Sequence, residues 1–243
     1  VNGNTDVIVL TLFSTMLEVS VYSIYALVIS GLRRFMISVT NGIEGAFGDM
    51  IAKEEQNKLK ETLSIIELMV NSISTILYSV TIVVILQFVK IYTKGVTDVN
   101  YIRPLFAYLL ILSGFMFAIR LPYQFIIRAS GKFKGTKKYA IIEVIINITI
   151  SVILVIKYGL IGVAVGTIVA TIYKTIMYSN YISKKIIHRS NLVIVKKIFI
   201  SFIEMAFIIL LMKIINIPTS INYMNWILNG LISVVVASVV VGI

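Results

Sequence analysis

Tyr139-Ala140-Ile141-Ile142-Glu143-Val144-Ile145-Ile146-Asn147-Ile148-Thr149-Ile150-Ser151-Val152-Ile153-Leu154-Val155-Ile156 runs directly into Lys157-Tyr158-Gly159-Leu160-Ile161-Gly162-Val163-Ala164-Val165-Gly166-Thr167. The first part is apolar over the length a helix needs to cross hydrocarbon, about 17–25 residues. It is too long for a spanning strand of about 9–11 residues, and it lacks apolar–polar alternation. The abundance of Ile and Val does not argue against a helix. Lipid cannot hydrogen-bond the backbone, so an open spanning segment must satisfy its own N–H and C=O groups.

Working outward, similar stretches recur along the whole chain. The expected segments are residues 6–18, 20–43, 63–89, 104–127, 139–156, 159–182, 197–215 and 223–243, the first of them short enough to be the tail of a longer helix. The composition agrees: 58% of the 243 residues are hydrophobic and only 14% are charged. A soluble domain averages about 45–50% apolar and about 25% charged, so this chain has too little polar surface to cover a soluble fold. The fold class expected is an all-α polytopic bundle. The chain opens on Val1 and closes inside the apolar run Val234–Ile243, which reads as a piece of a longer protein.

A net charge of +11 would suggest nucleic acid in a soluble protein. Here the cations gather in short turns between apolar segments, so no nucleic-acid partner is expected. Lys53, Lys58 and Lys60 follow the second segment. Arg128, Lys132, Lys134, Lys137 and Lys138 follow the fourth, and Lys184, Lys185, Arg189, Lys196 and Lys197 the sixth. The alternate turns carry only Lys90, Lys94, Arg103, Lys157 and Lys213. By the positive-inside rule the basic turns and the C-terminus face the cytoplasm of a cell-membrane protein. The stretch 48–61 reads as an amphipathic surface helix, with Glu54 and Lys58 spaced to pair across one turn.

The absence of cysteine excludes disulfides, thiolate metal sites and Cys nucleophiles. His188, in a basic turn, reads as a solvated loop residue. No phosphate loop, HExxH pair or nucleophile elbow is present, so neither an enzyme nor a cofactor is expected.

Ionisable residues inside spanning segments are the informative exceptions, since each costs about 2.5–3.5 kcal/mol at mid-depth on insertion scales. Arg33 and Arg34 lie near the middle of the second segment, about 15 Å of helix from either interface. They face an aqueous cavity that holds an anion, or form an intramembrane ion pair, or the segment is displaced so that both lie at the membrane surface; adjacent positions point about 100° apart, so they are not expected to share one role. Arg120 precedes Pro122, which removes a helical hydrogen bond; Arg120 either lines a cavity or braces a kink. Lys174 reaches a cavity or snorkels to the basic end. Glu67, Glu143 and Glu204 are expected at the interface or paired with Lys or Arg, with a coupling-ion role as the sharper alternative for Glu143. Asp6 is a further candidate for a polar cavity or a coupling site. Gly159, Gly162 and Gly166 have the spacing of a close helix–helix contact.

The stretch Arg120-Leu121-Pro122-Tyr123, with Ala129-Ser130-Gly131-Lys132-Phe133-Lys134-Gly135-Thr136-Lys137-Lys138-Tyr139 and the run on to Thr167, resembles the Wzx-type flippases of bacterial capsule and O-antigen synthesis. Val21-Tyr22-Ser23-Ile24-Tyr25, Phe47-Gly48-Asp49-Met50-Ile51-Ala52-Lys53 and Tyr92-Thr93-Lys94-Gly95-Val96-Thr97-Asp98-Val99-Asn100-Tyr101 are also similar, in the expected order. The resemblance covers about residues 4–190. It implies membership of the multidrug/oligosaccharidyl-lipid/polysaccharide exporter superfamily, whose members carry two lobes of helices around a central cavity. Residues 1–183 would be the C-terminal six-helix lobe, and 184–243 two additional spanning helices.

The implied substrate is an undecaprenyl-pyrophosphate-linked oligosaccharide, flipped from the cytoplasmic to the outer leaflet. The implied partners are membrane lipid, the absent N-terminal lobe and polysaccharide-assembly proteins such as a polymerase. A pyrophosphate needs cations in a hydrated groove, and Arg33, Arg34, Arg120 and Lys174 are the candidates by depth. A drug exporter or lipid II flippase of the same superfamily is the alternative, and a membrane polysaccharide polymerase a more distant one.

Overall fold

The computed structural model describes residues 2–215 and 222–242, with side chains from Thr5 onward. The described residues form an all-α polytopic bundle without strands: α1 (Asn2–Phe13), α2 (Met16–Val39), α3 (Ile43–Ala52), α4 (Gln56–Tyr92), α5 (Pro104–Ala129), α6 (Phe133–Tyr158), α7 (Leu160–Ile182), α8 (Leu192–Ile214) and α9 (Tyr223–Val241). A π-helical turn, Ser183–Ile187, extends α7.

Polarity is distributed inside out. On α6 the buried residues are Thr136, Glu143, Asn147, Ser151 and Val155, a stripe at helical spacing. Its exposed face carries Ile141, Ile145, Ile148, Ile153 and Ile156, the last 74% accessible. On α7, Thr167, Thr171, Thr175 and Ser179 are buried in the same way. Water would reverse this pattern. In lipid it is favourable, because aliphatic side chains are solvated by acyl chains while hydroxyls and amides find partners between helices. Thr175 Oγ1, for example, donates to the Met116 carbonyl of α5 at 3.0 Å.

The bundle is built around α5, which is buried on almost every side and packs against α2, α4 and α7. α6 and α7 form a tight hairpin. Gly159 closes it at φ 52, ψ −131, a conformation open only to glycine. At Gly162 an added Cβ would overlap the Leu154 carbonyl carbon and oxygen, and at Gly166 it would overlap Ser151. The close approach expected of these glycines is therefore made by Gly162 and Gly166, while Gly159 supplies the turn. α8 and α9 pack on α4, where Ile208, Met212 and Ala237 form a small cluster with Ile76, Val80 and Val83.

The basic turns share one end. Arg128 in the last turn of α5 lies 3.5 Å from Glu44 of α3, and Arg189 and Lys197 reach Glu67 in the first third of α4.

Several boundaries differ from the sequence expectation. The first segment ends at Phe13, because Thr15 caps α2 by accepting from the Glu18 N–H, so Glu18 lies in the first turn of α2 and not in a loop. Thr15-x-x-Glu18 is the capping-box pattern, which was there to be read. The stretch 48–61 is not one helix: it breaks at Lys53–Glu55, with Glu54 at φ 56. Glu54 therefore cannot pair with Lys58; Glu55 does, at 3.0 Å. Pro122 lies within a continuous α5. Six helices are long and apolar enough to cross a membrane individually. The first and seventh expected segments are not among them: α1 has 12 residues, and α8 carries Lys196, Lys197, Glu204 and Lys213.

Candidate functional site

Asp6 of α1 is carried into the bundle by the packing of α1 on α6 and α2, and it is 2% exposed. Tyr22 Oη donates to its Oδ2 at 2.9 Å, and Asn147 Nδ2 donates to its Oδ1 at 3.3 Å. Thr167 Oγ1 lies 3.0 and 2.9 Å from the two carboxylate oxygens and 3.0 Å from the Val163 carbonyl. A hydroxyl has one proton, so Thr167 can satisfy only one of these acceptors at a time. Asn147 Nδ2 also lies 3.2 Å from Thr167 Oγ1, while Asn147 Oδ1 is buried without a hydrogen-bond partner. Four elements, α1, α2, α6 and α7, thus converge on one carboxylate.

Arg33 of α2 faces the same place. A cavity of about 330 Å³ is lined by Asp6, Tyr22, Ser30, Arg33, Leu110 and Thr167, among others. The Arg33 Nη2 donates to Ser113 Oγ at 3.1 Å, and its guanidinium carbon sits 5.2 Å from the Phe117 ring centroid. Its Nε is buried without a partner, and Arg33 is in none of the ion pairs among the described residues. Its nearest acid is Asp6, which lines the same cavity without a direct ion pair to it, so the guanidinium contacts a hydroxyl and an aromatic face while remaining open to the cavity.

The other sequence candidates separate. Arg34 is exposed on the outer face of α2, in line with Ser20, Ser23, Leu27, Gly31 and Ser38. Arg120 and Lys174 do not line this cavity; both are bound to Glu143. Arg120 Nη1 donates to Glu143 Oε1 at 3.1 Å, and Lys174 Nζ donates to Oε2. The Arg120 and Glu143 side chains are 6% and 4% exposed. Arg120 also lies 5.2 Å from the Phe117 ring, so the two arginines share one aromatic neighbour. The expected pairing of Glu143 with basic residues is thus met from α5 and α7.

Glu67 is paired as well, with Arg189 and Lys197, which follow the sixth expected segment, and with Tyr123 of α5. Arg189 donates to both carboxylate oxygens, Lys197 Nζ reaches Oε2 at 2.8 Å, and Tyr123 Oη donates to Oε1 at 2.7 Å. Glu204 is partly exposed on α8, and His188 is exposed at the end of the π-helical turn.

The residues that sequence reading left without a role are Tyr22, Ser113, Phe117, Asn147 and Thr167. A signal existed for two of them. Asn147 with Ser151, and Thr167 with Thr171, are polar pairs four residues apart in otherwise apolar spans, the spacing of one buried helix face.

An oxygen-rich set is thus assembled from the Asp6 carboxylate, Tyr22 Oη, Thr167 Oγ1 and the Val163 carbonyl behind it. Hard cations take oxygen ligands of this kind. Comparison with protein-family models, with curated proteins and with solved structures yields no match.

Proposed function

We propose that this chain is one lobe of a membrane flippase that moves a lipid-linked oligosaccharide, anchored through a pyrophosphate, from the cytoplasmic to the outer leaflet. The observation that carries the reading is Arg33: an intramembrane guanidinium beside a cavity, with no carboxylate bound to it. The resemblance to Wzx-type flippases points the same way. So does Arg34, exposed in the last third of α2 on a face that also carries Gly31 and Ser38. A charge there is poorly suited to acyl chains and well suited to an aqueous groove shared with a second lobe. The sugars and the pyrophosphate would travel in that groove while the polyprenyl tail stays in lipid.

Asp6 supplies the second half of the mechanism. Its oxygen-rich surroundings suit a coupling proton or monovalent cation, and occupancy there changes the field felt by Arg33 across the same cavity. Charge in this site would alternate between an anion held by Arg33 and a cation held by Asp6, without an enzymatic step. A cation-coupled drug exporter of the same superfamily is the competing reading; an arginine in no direct ion pair among the described residues favours an anionic cargo.

The test is Arg33→Gln in the protein as its host makes it. Surface polysaccharide should fall at least tenfold, with normal membrane levels of the variant. Wild-type polymer from Arg33→Gln would remove the basis of this reading.

A further inference from the structure

A separate basic cavity lies where the end of α5 meets the start of α6. It measures about 420 Å³ and is lined by Gln124, Arg128, Phe133, Lys134, Lys137 and Tyr178, among others. Thus the last turn of α5 and the first turns of α6 bring three cations to one hollow, which Tyr178 near the end of α7 also lines, at the end of the bundle that carries the basic turns. Little on the chain neutralises them. Among the described residues Lys134 and Lys137 are in no ion pair, and Arg128 has only Glu44, at 3.5 Å with both side chains about 40% exposed. The guanidinium of Arg128 also lies over the Phe125 ring at 5.3 Å.

The surface below the cavity indicates what fills it. Lys134, Lys137, Ile141, Ile145 and Ile148 fall on one exposed stripe of α6. Read from the helix end inward, the stripe is cationic and then purely aliphatic. From Lys137 to Ile148 it descends about 16 Å, close to half of a hydrocarbon core of about 30 Å. A phospholipid has the same order of chemistries over the same length: an anionic phosphate, then one leaflet's depth of acyl chain. Free phosphate would use the cations but not the aliphatic track, and an apolar partner helix would use the track but not the cations.

We infer that the cavity between the ends of α5, α6 and α7 binds the phosphate of an anionic glycerophospholipid, with an acyl chain lying along Ile141, Ile145 and Ile148. This rests on the membrane-spanning fold and not on the flippase reading, since Arg33 and Asp6 take no part. Basic hollows between helix ends are suited to lipid headgroups, and each Lys near an anionic surface is worth about a fivefold gain in binding.

The full chain, reconstituted with equal phosphatidylglycerol and phosphatidylcholine, should retain the anionic lipid preferentially when stripped in detergent and weighed by native mass spectrometry. Lys134→Gln with Lys137→Gln should lower that preference about 25-fold. Lys53→Gln with Lys58→Gln, at the same end, should leave it unchanged. Circular dichroism melts of both variants establish that they are folded. Equal retention of the two lipids overturns the inference. An equal loss in the control pair also overturns it, because binding would then be diffuse surface charge. Full displacement of the lipid by millimolar inorganic phosphate would show a free-anion site, and likewise overturns it.

Discussion

Replacing Glu143 by Gln keeps the shape of the side chain and removes the charge that Arg120 and Lys174 share. Arg120 is bound to it at 3.1 Å with both side chains almost fully buried, whereas Lys174 is 16% exposed. Removing one member of a buried ion pair costs about 3–5 kcal/mol, because the partner charge is left uncompensated. Lys174 can turn its ammonium toward the nearer surface, so the stranded group is Arg120, and the low end, about 3 kcal/mol, is expected. For a chain of this size that corresponds to a melting temperature lower by about 6–12 °C. The assay is thermal unfolding of the purified protein in detergent, followed by circular dichroism. Glu44→Gln is the control, since its pair with Arg128 is surface-exposed and worth at most about 1 kcal/mol. Adding Arg120→Met to Glu143→Gln should recover more than half of the loss, because the unpaired guanidinium is then gone. The reasoning fails if Glu143→Gln melts no lower than Glu44→Gln, or if Arg120→Met deepens the loss.

Gly162→Val should lower stability by about 1–3 kcal/mol, since even a Cβ at that position would overlap the Leu154 carbonyl group and force α6 and α7 apart. Gly230→Val on α9, where a Cβ meets nothing within 4 Å, should melt much closer to wild type, and equal losses in the two variants would refute the close-packing account. If Asp6 holds a coupling cation, sodium chloride should raise the melting temperature of the wild type more than choline chloride does, through binding to the folded state. Asp6→Asn keeps the size of the side chain and should abolish that difference; an undiminished sodium effect in the variant would show that the ion binds elsewhere.

The spanning helices were legible in the sequence because lipid imposes a length and forbids unsatisfied backbone, and both constraints act locally. The expected spans from residue 20 to residue 182 reappear as α2, α4, α5, α6 and α7, with ends shifted by caps and turns. Gly162 and Gly166 were likewise legible, since small residues at one-turn spacing describe a contact surface without reference to the partner.

Where each charge found its counter-charge was not legible. Depth in a helix showed that Arg33, Arg120 and Lys174 needed an answer, but three cations at similar depth looked alike. Glu143 lies 23 residues from Arg120 and 31 from Lys174, and Arg189 lies 122 from Glu67. Such pairings depend on how helices rotate and cross. Chain order placed Asp6 and Thr167 161 residues apart; the folding of α1 against the α6–α7 hairpin placed them 3 Å apart and left Arg33 the cation facing their cavity. Local energetics determine that a residue must be buried or solvated, while the identity of its neighbour is a property of the assembled bundle.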